Sequence, residues 1–464
     1  MKSRAFLTAL FDASVRAVDP RRLVTEALGR RGEAVFVRSV NDPHHREFVF
    51  APERVALLAL GKAAAPMAAA ADAVLGKRIE AGLVIGPRGT SFDGLPEAYR
   101  KIPGGHPHPD ASSVDAGHAA LTLAGKLKKG DLLLVLLSGG GSALAAAPSG
   151  SITLEEKSKT IALLMAAGAP IRDVNLVRGS LSELKAGRLA IAAGEADVVT
   201  LVLSDLGDDG WHLVASGPTL GMPSPRHEAR QILDQYRLMP LVPHAVRDLL
   251  DSRSNGAPER LTGKRWSVLL ADIRTALEGA RLEALRLGAD ARVAPELLSG
   301  EARAAARRLS VAGASAGKLS RNPAARRRPS VTIFGGETTV TVKGPGHGGR
   351  NRELALATAY HIAGVAGATA LVAGTDGVDH EADAAGAFVD DTTLDRADAL
   401  GLDPSRALTN NDTGPFFATL GDTFAPGPTG TNVGDVAFVL SNGVEEAGEE
   451  PVSADEEIPL PTSL

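Results

Sequence analysis

Three consecutive glycines between two serines form the segment of this sequence with the clearest chemical potential. Ser138, Gly139, Gly140, Gly141 and Ser142 follow the apolar run Leu132–Leu137 and precede an alanine-rich helical pattern. Consecutive glycines allow backbone N–H groups to converge on an anion, and a following helix start adds positive potential. The segment matches neither the Walker loop nor the dinucleotide fingerprint. A tight turn is the alternative, but the position after a buried strand favours an anion site.

Aspartates follow a second apolar run. Asp205, Asp208 and Asp209 come directly after Val198–Leu203. Carboxylate oxygens are the ligands that Mg²⁺ prefers, so Asp205 and Asp208 are candidate metal ligands. An aspartate-rich turn that caps a helix is the competing interpretation.

Several cations occupy positions from which they could meet a phosphate. Lys62 follows the first apolar run, and Arg350 falls at a predicted helix start, where it opposes the helix dipole unless it binds an anion. Asn175, Arg178 and Lys185 recur at helical spacing. Those three predict either a solvated face or a phosphate-binding face.

The second half of the chain repeats the pattern of polar residues near glycine-rich turns. Such turns at the ends of strands are where α/β proteins bind ligands. The candidate residues in these turns and beside Arg350 are Glu337, Asn351, Asp376, Asp412, Thr429 and Asn432. His106 and His108 have no third metal ligand nearby in the sequence, so a metal role is disfavoured.

The amino-acid composition excludes or disfavours several classes of site and partner. The 464 residues include no cysteine, which excludes disulfides, thiolate zinc sites and cysteine nucleophiles. The net charge of −5 does not favour a nucleic-acid surface. No apolar run approaches the ~18 residues of a membrane span, and the amino terminus lacks a signal-peptide pattern, so we expect a cytoplasmic protein.

Strands that are apolar on both faces must position these groups. Such strands belong to parallel sheets covered by helices, and the predicted strands of the first half alternate with helical patterns. They are 55–60, 81–85, 131–137 and 198–203. The turn-rich stretch 252–258 predicts a linker. Beyond it the sequence predicts a second α/β unit with strands at 266–270, 331–334, 338–342 and 370–373. Residues 310–328 predict a surface loop, and the tail after residue 443 predicts a frayed end.

Ten ordered segments of this sequence resemble the glycerate 2-kinase (MOFRL) family. Those that carry most of the resemblance are Leu60–Ala63, Leu137–Leu144, Asn175–Arg178, Ser204–Thr219, Gly335–Val340, Gly348–Asn351, Gly374–Gly377 and Gly427–Asp435. The likeness extends from the first helix to about residue 440.

The resemblance implies a fold of two α/β domains, a Rossmann-like parallel-sheet domain at 1–255 and a MOFRL domain with a mixed sheet at 256–464. It implies phosphorylation of D-glycerate by ATP with Mg²⁺, giving 2-phosphoglycerate, in the cleft between the domains. Carried across by motif, Lys62 and Arg350 would be the main catalytic cations. Our own hypothesis adds an aspartate such as Asp376 to orient the attacking hydroxyl. The glycine loop would hold either a phosphate or the glycerate carboxylate.

The expected partner is a small-molecule substrate, with no nucleic acid or membrane, and the expected state is a monomer or homodimer. Phosphorylation at the 3-hydroxyl is one alternative. A hydroxypyruvate reductase that uses NAD(P)H is another, although the sequence lacks a convincing dinucleotide fingerprint.

Overall fold

The structure is a computed structural model that describes residues 2–40, 46–221, 226–252, 263–309, 328–380 and 383–441, without the side chains of Ile171, Asp208 and Asp209. The predicted loop at 310–328, except its last residue, and the predicted tail after 443 lie outside these ranges. Within them, no helix is long and apolar enough to cross a membrane.

A parallel sheet forms the centre of the first half. In the described residues it has six strands, ordered β6-β5-β4-β7-β8-β9. The strands are β4 (Val55–Leu60), β5 (Ile79–Pro87), β6 (Arg100–Gly104), β7 (Leu132–Leu137), β8 (Asp197–Leu203) and β9 (Arg265–Ala271). Every residue of β4 and β7 is buried, as the continuous apolar runs predict for strands with helices on both faces.

Helices connect and cover these strands. They are α3 (Ala64–Leu75), α4 (Ala111–Gly125), α5 (Gly141–Leu144), α6 (Leu154–Ala166), α7 (Ile171–Ser180), α8 (Arg188–Ala192), α9 (Arg226–Gln235) and α10 (His244–Asp251), with short 3₁₀ segments at Gly76–Arg78 and Asp208–Ser216. α5 is a single turn, because the backbone is extended again at Ala145. The prediction of a longer helix after the glycine loop is therefore wrong. The dipole of the single-turn α5 adds little positive potential at the loop.

A second, mixed sheet forms the carboxyl-terminal half. Its order in the described chain is β10-β11-β15-β12-β13-β14, with β10 and β11 parallel and the other neighbours antiparallel. The strands are β10 (Asp290–Val293), β11 (Ser330–Gly336), β12 (Thr369–Gly374), β13 (Gly386–Asp390), β14 (Thr423–Phe424) and β15 (Asp435–Ser441). The predicted fold class, an α/β protein with one parallel and one mixed sheet, is confirmed.

The helices of this half lie on both sides of the mixed sheet. They are α11 (Ile273–Arg286), α12 (residues 302–309), α13 (Arg350–Ile362), α14 (Thr393–Ala399), α15 (Pro404–Thr409) and α16 (Thr413–Leu420). α13 packs against β12 and β13 with ten buried residues, including Arg352 and Glu353.

Two predicted strands differ from the structure. The strand expected at 338–342 is wrong: Thr339 makes a single bridge to Glu301, and Thr341 is held by the Glu301 side chain instead of a ladder. β9 was expected in the second unit, yet it pairs in parallel with β8. The turn-rich stretch before β9 predicts a linker, and therefore a domain boundary. β9 instead adds to the free edge of β8 and extends the first sheet.

The amino-terminal segment connects the two halves. α1 (Ser3–Ala17) packs along α11 and contacts β12 and β15, so it joins the mixed sheet. α2 (Pro20–Ala27) follows, with Asp19 as its cap and Pro20 in the first turn. A small antiparallel sheet comprises β1 (Leu28–Arg31), β2 (Ala34–Arg38) and β3 (Glu47–Phe50) in the described residues.

One buried cluster extends from α1 through both large sheets, from Phe6 to Leu57 and Phe438. The expected domain boundary at 255/256 lies outside the described residues, and the placement of α1 and β9 shows that the two sheets do not divide the chain at that point.

Candidate active site

The carboxyl ends of β4 and β7 hold the glycine loop in place. Lys62 N–H donates to the Gly139 carbonyl at 2.9 Å, and Ala63 N–H donates to Ser138 Oγ at 3.0 Å. Gly61 has φ +132°, and a Cβ there would lie 2.2 Å from Ser138 Oγ. Only glycine permits this approach of the two strand ends. Lys62 and the loop therefore form one rigid unit.

The mixed sheet presents a matching edge. Gly374 at the end of β12 and Gly336 at the end of β11 both lie opposite Asp435, the first residue of β15. Glu337 and Asp376 leave these strand ends, so three carboxylates from distant parts of the chain gather at one edge.

Lys62 and Asp376 connect the two sheets. Lys62 Nζ donates to Asp376 Oδ2 at 2.7 Å, across 314 positions of sequence, with side chains 28% and 14% exposed. The two sheets also approach at Gly139, where an added Cβ would lie 2.0 Å from Asp205 Oδ2 and 2.8 Å from Asn432 Nδ2. The predicted residues Lys62, Gly139, Asp205, Asp376 and Asn432 thus lie in one cleft.

Asp205 experiences the charges of this cleft directly. Burial raises the pKa of its carboxyl, while the nearby cations Lys62 and Arg350 oppose that shift and Asp376 adds to it. Of the two predicted metal ligands, the side chain of Asp208 lies outside the described part of the molecule. Among the described side chains, no group of three or more carboxylates and imidazoles forms a ready metal site.

Arg350 begins α13, as predicted, but its anionic partners are protein carboxylates. Its Nε and Nη2 donate to the two oxygens of Asp435 at 2.5 and 2.9 Å, and Nη1 lies 3.2 Å from Glu337 Oε1. The N–H groups of the first turn of α13, on Asn351 and Arg352, donate to Asp379 at 2.9 Å. Asp435 and Glu337 thus compensate for the positive charge of Arg350 at the positive end of the α13 dipole.

Three predicted binding residues have structural partners. Asn351 is buried, and its Nδ2 donates to Asp435 Oδ1 at 3.1 Å, which supports the Arg350 pair. Asp412 accepts from the His347 N–H at 3.0 Å and so orients the loop before α13. Thr429 Oγ1 donates to the Thr375 carbonyl at 2.6 Å, beside Asp376. Whether these residues also contact a ligand stays a prediction.

Polar side chains of α7, and Lys185 shortly after it, face the interior of the protein. Arg178 Nη1 donates to Asn175 Oδ1 at 2.7 Å, and Lys185 Nζ donates to the Ser142 carbonyl at 2.6 Å. Lys185 is 3% exposed, so the solvated-face interpretation does not hold for it. Ser142 Oγ shares a hydrogen bond of 2.6 Å with Ser216 Oγ. Arg178, Lys185 and Ser142 line one cavity beside the glycine loop.

Sequence reasoning missed three charged residues of this region. Asp379 caps α13 and pairs with the buried Arg352, and Lys157 lies in the same cavity as Arg178 and Lys185. Asp435 was noted only as the end of a motif. A lone lysine in an amphipathic helix carries no signal of burial, so Lys157 could not have been recognised.

Comparison with known proteins places this geometry in a family. A profile described as a domain of unknown function, DUF4147, matches residues 6–251, and the MOFRL family profile matches residues 330–435. A D-glycerate 2-kinase of Thermotoga maritima is 37% identical over 90% of this chain and 98% of its own. A putative hydroxypyruvate reductase of Agrobacterium vitis is also 37% identical, over 83% of this chain and 99% of its own.

A solved structure agrees with the sequence matches. The crystal structure of glycerate kinase from Thermotoga maritima superimposes with a TM-score of 0.78 at 35% identity, covering 94% of this chain and 98% of that one. Likeness of this extent involves both sheets and the cleft between them. The chain therefore belongs to the DUF4147–MOFRL family of glycerate kinases.

Proposed function

We propose that this protein transfers the γ-phosphoryl group of ATP to the 2-hydroxyl of D-glycerate, forming 2-phosphoglycerate and ADP. The observation that carries the proposal is the Lys62–Asp376 pair, which joins a carboxylate and a cation from different sheets beside an anion-binding loop. Phosphoryl transfer depends on positioning and charge neutralisation more than on covalent chemistry, and this pair supplies both. The glycerate kinases to which this chain is similar support glycerate as the acceptor.

Each charged residue of the cleft has its own role in this reaction. Asp376 orients the 2-hydroxyl and accepts its proton while the hydroxyl oxygen bonds to the γ-phosphorus. The bond from that phosphorus to the bridging oxygen breaks, and ADP leaves with the electron pair. Lys62 and Arg350 neutralise the charge on the transferred group, and Asp435 holds the Arg350 fork in position.

Magnesium fits the chemistry of this donor set. Mg²⁺ is usually held by one or two carboxylates together with substrate phosphates, so a cluster of three protein ligands is not required. Asp205, one of the two predicted ligands, would hold the ion together with the substrate phosphates, and the ion would neutralise phosphate charge when bound. A cytoplasmic location and a monomeric or homodimeric state stay predictions.

The test is phosphorylation of D-glycerate by ATP with enolase added in the second step. Direct formation of phosphoenolpyruvate identifies the 2-phosphate, whereas a requirement for phosphoglycerate mutase would move the phosphate to the 3-hydroxyl. The relative from Agrobacterium vitis motivates a parallel assay with NADH and hydroxypyruvate. Steady oxidation of NADH there, without phosphorylation, would replace the kinase with a reductase.

A further inference from the structure

A cavity of about 550 Å³ opens beside the glycine loop, away from the Lys62–Asp376 pair. One wall is apolar and comes mainly from α6. The other wall is cationic and comprises Arg178, Lys185 and Lys157, the last of these also from α6. We call it the Lys157 pocket; its lining includes Ser142, Leu154, Lys157, Ile161, Met165, Arg178 and Lys185. The described lining contains no aspartate or glutamate. Glu183 lies outside this lining, although its charge acts on Lys157. A cavity lined by three cations and no carboxylate is suited to receive an anion.

Lys157 is the residue that most requires such a ligand. It is 5% exposed, and its Nζ has no hydrogen-bond partner among the residues that the structure describes. Burial, followed by the charge of Arg178, lowers the pKa of Lys157 to about 7. Burial also holds the pKa of Lys185 well below its ordinary value, with Lys157 and Arg178 adding to the effect. A buried ammonium group without a partner is costly, and a bound anion would remove that cost.

The pocket is too large and too charged for glycerate alone. Cavities of roughly 300–1,000 Å³ enclose ligands of nucleotide size. Glycerate carries one carboxylate, which would leave most of the cationic wall uncompensated. It would also leave Leu154, Ile161 and Met165 without an apolar partner. A nucleoside triphosphate satisfies both walls, because its base is apolar on its faces and its phosphates carry several charges.

The pocket is also continuous with the reaction centre. Lys185 Nζ contacts the Ser142 carbonyl, and Ser142 is two residues from Gly140. A Cβ on Gly140 would lie 3.3 Å from Lys62 Cγ. Two residues span at most about 7 Å, so a polyphosphate chain that begins at Lys185 can reach Lys62 along the loop.

We propose that the Lys157 pocket is the nucleotide subsite: the base lies against Leu154, Ile161 and Met165, and the phosphates meet Lys157, Arg178 and Lys185. This assignment rests on the kinase function proposed above. It gives the glycine loop the phosphates of the nucleotide and leaves the glycerate carboxylate to the other side of the cleft. Lys157 thereby becomes a binding residue for the phosphate donor.

The test compares Lys157→Met with Lys159→Met, which removes an exposed lysine from the same helix. Calorimetric titration with the non-hydrolysable analogue adenosine 5′-(β,γ-imido)triphosphate measures nucleotide binding alone. Loss of one charged contact predicts a Kd roughly ten- to hundred-fold weaker for Lys157→Met and unchanged for Lys159→Met. The KM for D-glycerate should stay at the value of the unmodified protein.

Met165→Glu is a second variant that does not depend on tolerance of a core change. Met165 is 63% exposed at the rim, so the substitution places a charged carboxylate in the apolar surface proposed for the base without disturbing the fold. We expect it to weaken binding of the analogue several-fold. An unchanged Kd in both pocket variants, or a raised KM for D-glycerate with an unchanged Kd for the analogue, would overturn the subsite.

The outcomes separate the subsite from the overall function. Binding of the analogue that depends on Lys157, in a protein that fails to phosphorylate D-glycerate, would retain the subsite and reject glycerate as the acceptor. Phosphorylation of D-glycerate with binding that ignores Lys157 would retain the function and reject the subsite.

Discussion

The Lys62–Asp376 pair provides a quantitative test of how the cleft is held together. Its 2.7 Å separation corresponds to a Coulomb energy of about 6 kcal/mol at an effective dielectric constant of about 20. Desolvation of two side chains that are 28% and 14% exposed offsets most of this energy. We therefore expect a net coupling of about 1–3 kcal/mol, above the range of exposed pairs.

A double-mutant cycle with Lys62→Met and Asp376→Asn measures that coupling. The observable is the free energy of urea unfolding for the native protein, both single variants and the double variant. Each single variant should also lower kcat by at least about a hundred-fold, since the proposed mechanism has Lys62 neutralise the transferred phosphoryl group and Asp376 act on the acceptor hydroxyl. The double variant should regain part of the stability but none of the activity.

The pair Arg22–Glu26 is the matched control. It has a similar separation of 2.8 Å, but its side chains are 46% and 48% exposed. Its coupling should be at most about 0.5 kcal/mol. The reasoning fails if the cleft pair couples no more strongly than this surface pair. Normal turnover in Lys62→Met would separately remove that lysine from the mechanism.

Three further predictions address the supports of the site. Gly61→Ala should destabilise the protein by about 2–4 kcal/mol, because it adds a clash with Ser138 to a positive φ; Gly32→Ala, with positive φ and open space, should cost about 1 kcal/mol in the same urea titration. Asp379→Asn removes the charge of the buried carboxylate that pairs with Arg352 and caps α13, so unfolding free energy should fall by about 3–5 kcal/mol; a smaller loss than that of Gly61→Ala would contradict the cap. The folded-state pKa of Lys157, about 7, lies below its ordinary 10.5, so the unfolded chain binds the extra proton between these values and stability should rise with pH across that window. Lys157→Met should reduce that rise but not abolish it, because burial also lowers the pKa of Lys185; an unchanged slope would show that Lys157 does not contribute.

Local patterns were sufficient to predict much of the fold. The apolar runs of β4, β7 and β8 identified strands buried on both faces, because such strands leave no polar face for solvent. The strand expected at 338–342 shows where local preference fails. Its β-branched residues favour a strand, but a strand requires a neighbour, and here the backbone is held by side chains such as Glu301.

The sequence by itself determined the kinds of groups available and the strand ends that carry them. The apolar runs locate the strand ends, and the residues that come next can be read from the sequence. They are Gly61, Lys62, Gly139, Gly140, Gly141, Asp205 and Asp376. These assignments are local, since a strand end exposes whatever residue comes next.

Only the tertiary structure decided which of these groups meet. It placed Lys62 beside Asp376 and Arg350 beside Asp435, and it buried Lys157 with no hydrogen-bond partner in the described part of the chain. Burial and pairing depend on residues far apart in the chain, and a single sequence contains no measure of those distances. For that reason the Lys157 pocket is recognisable only in the tertiary structure, where α6 and α7 pack beside the glycine loop.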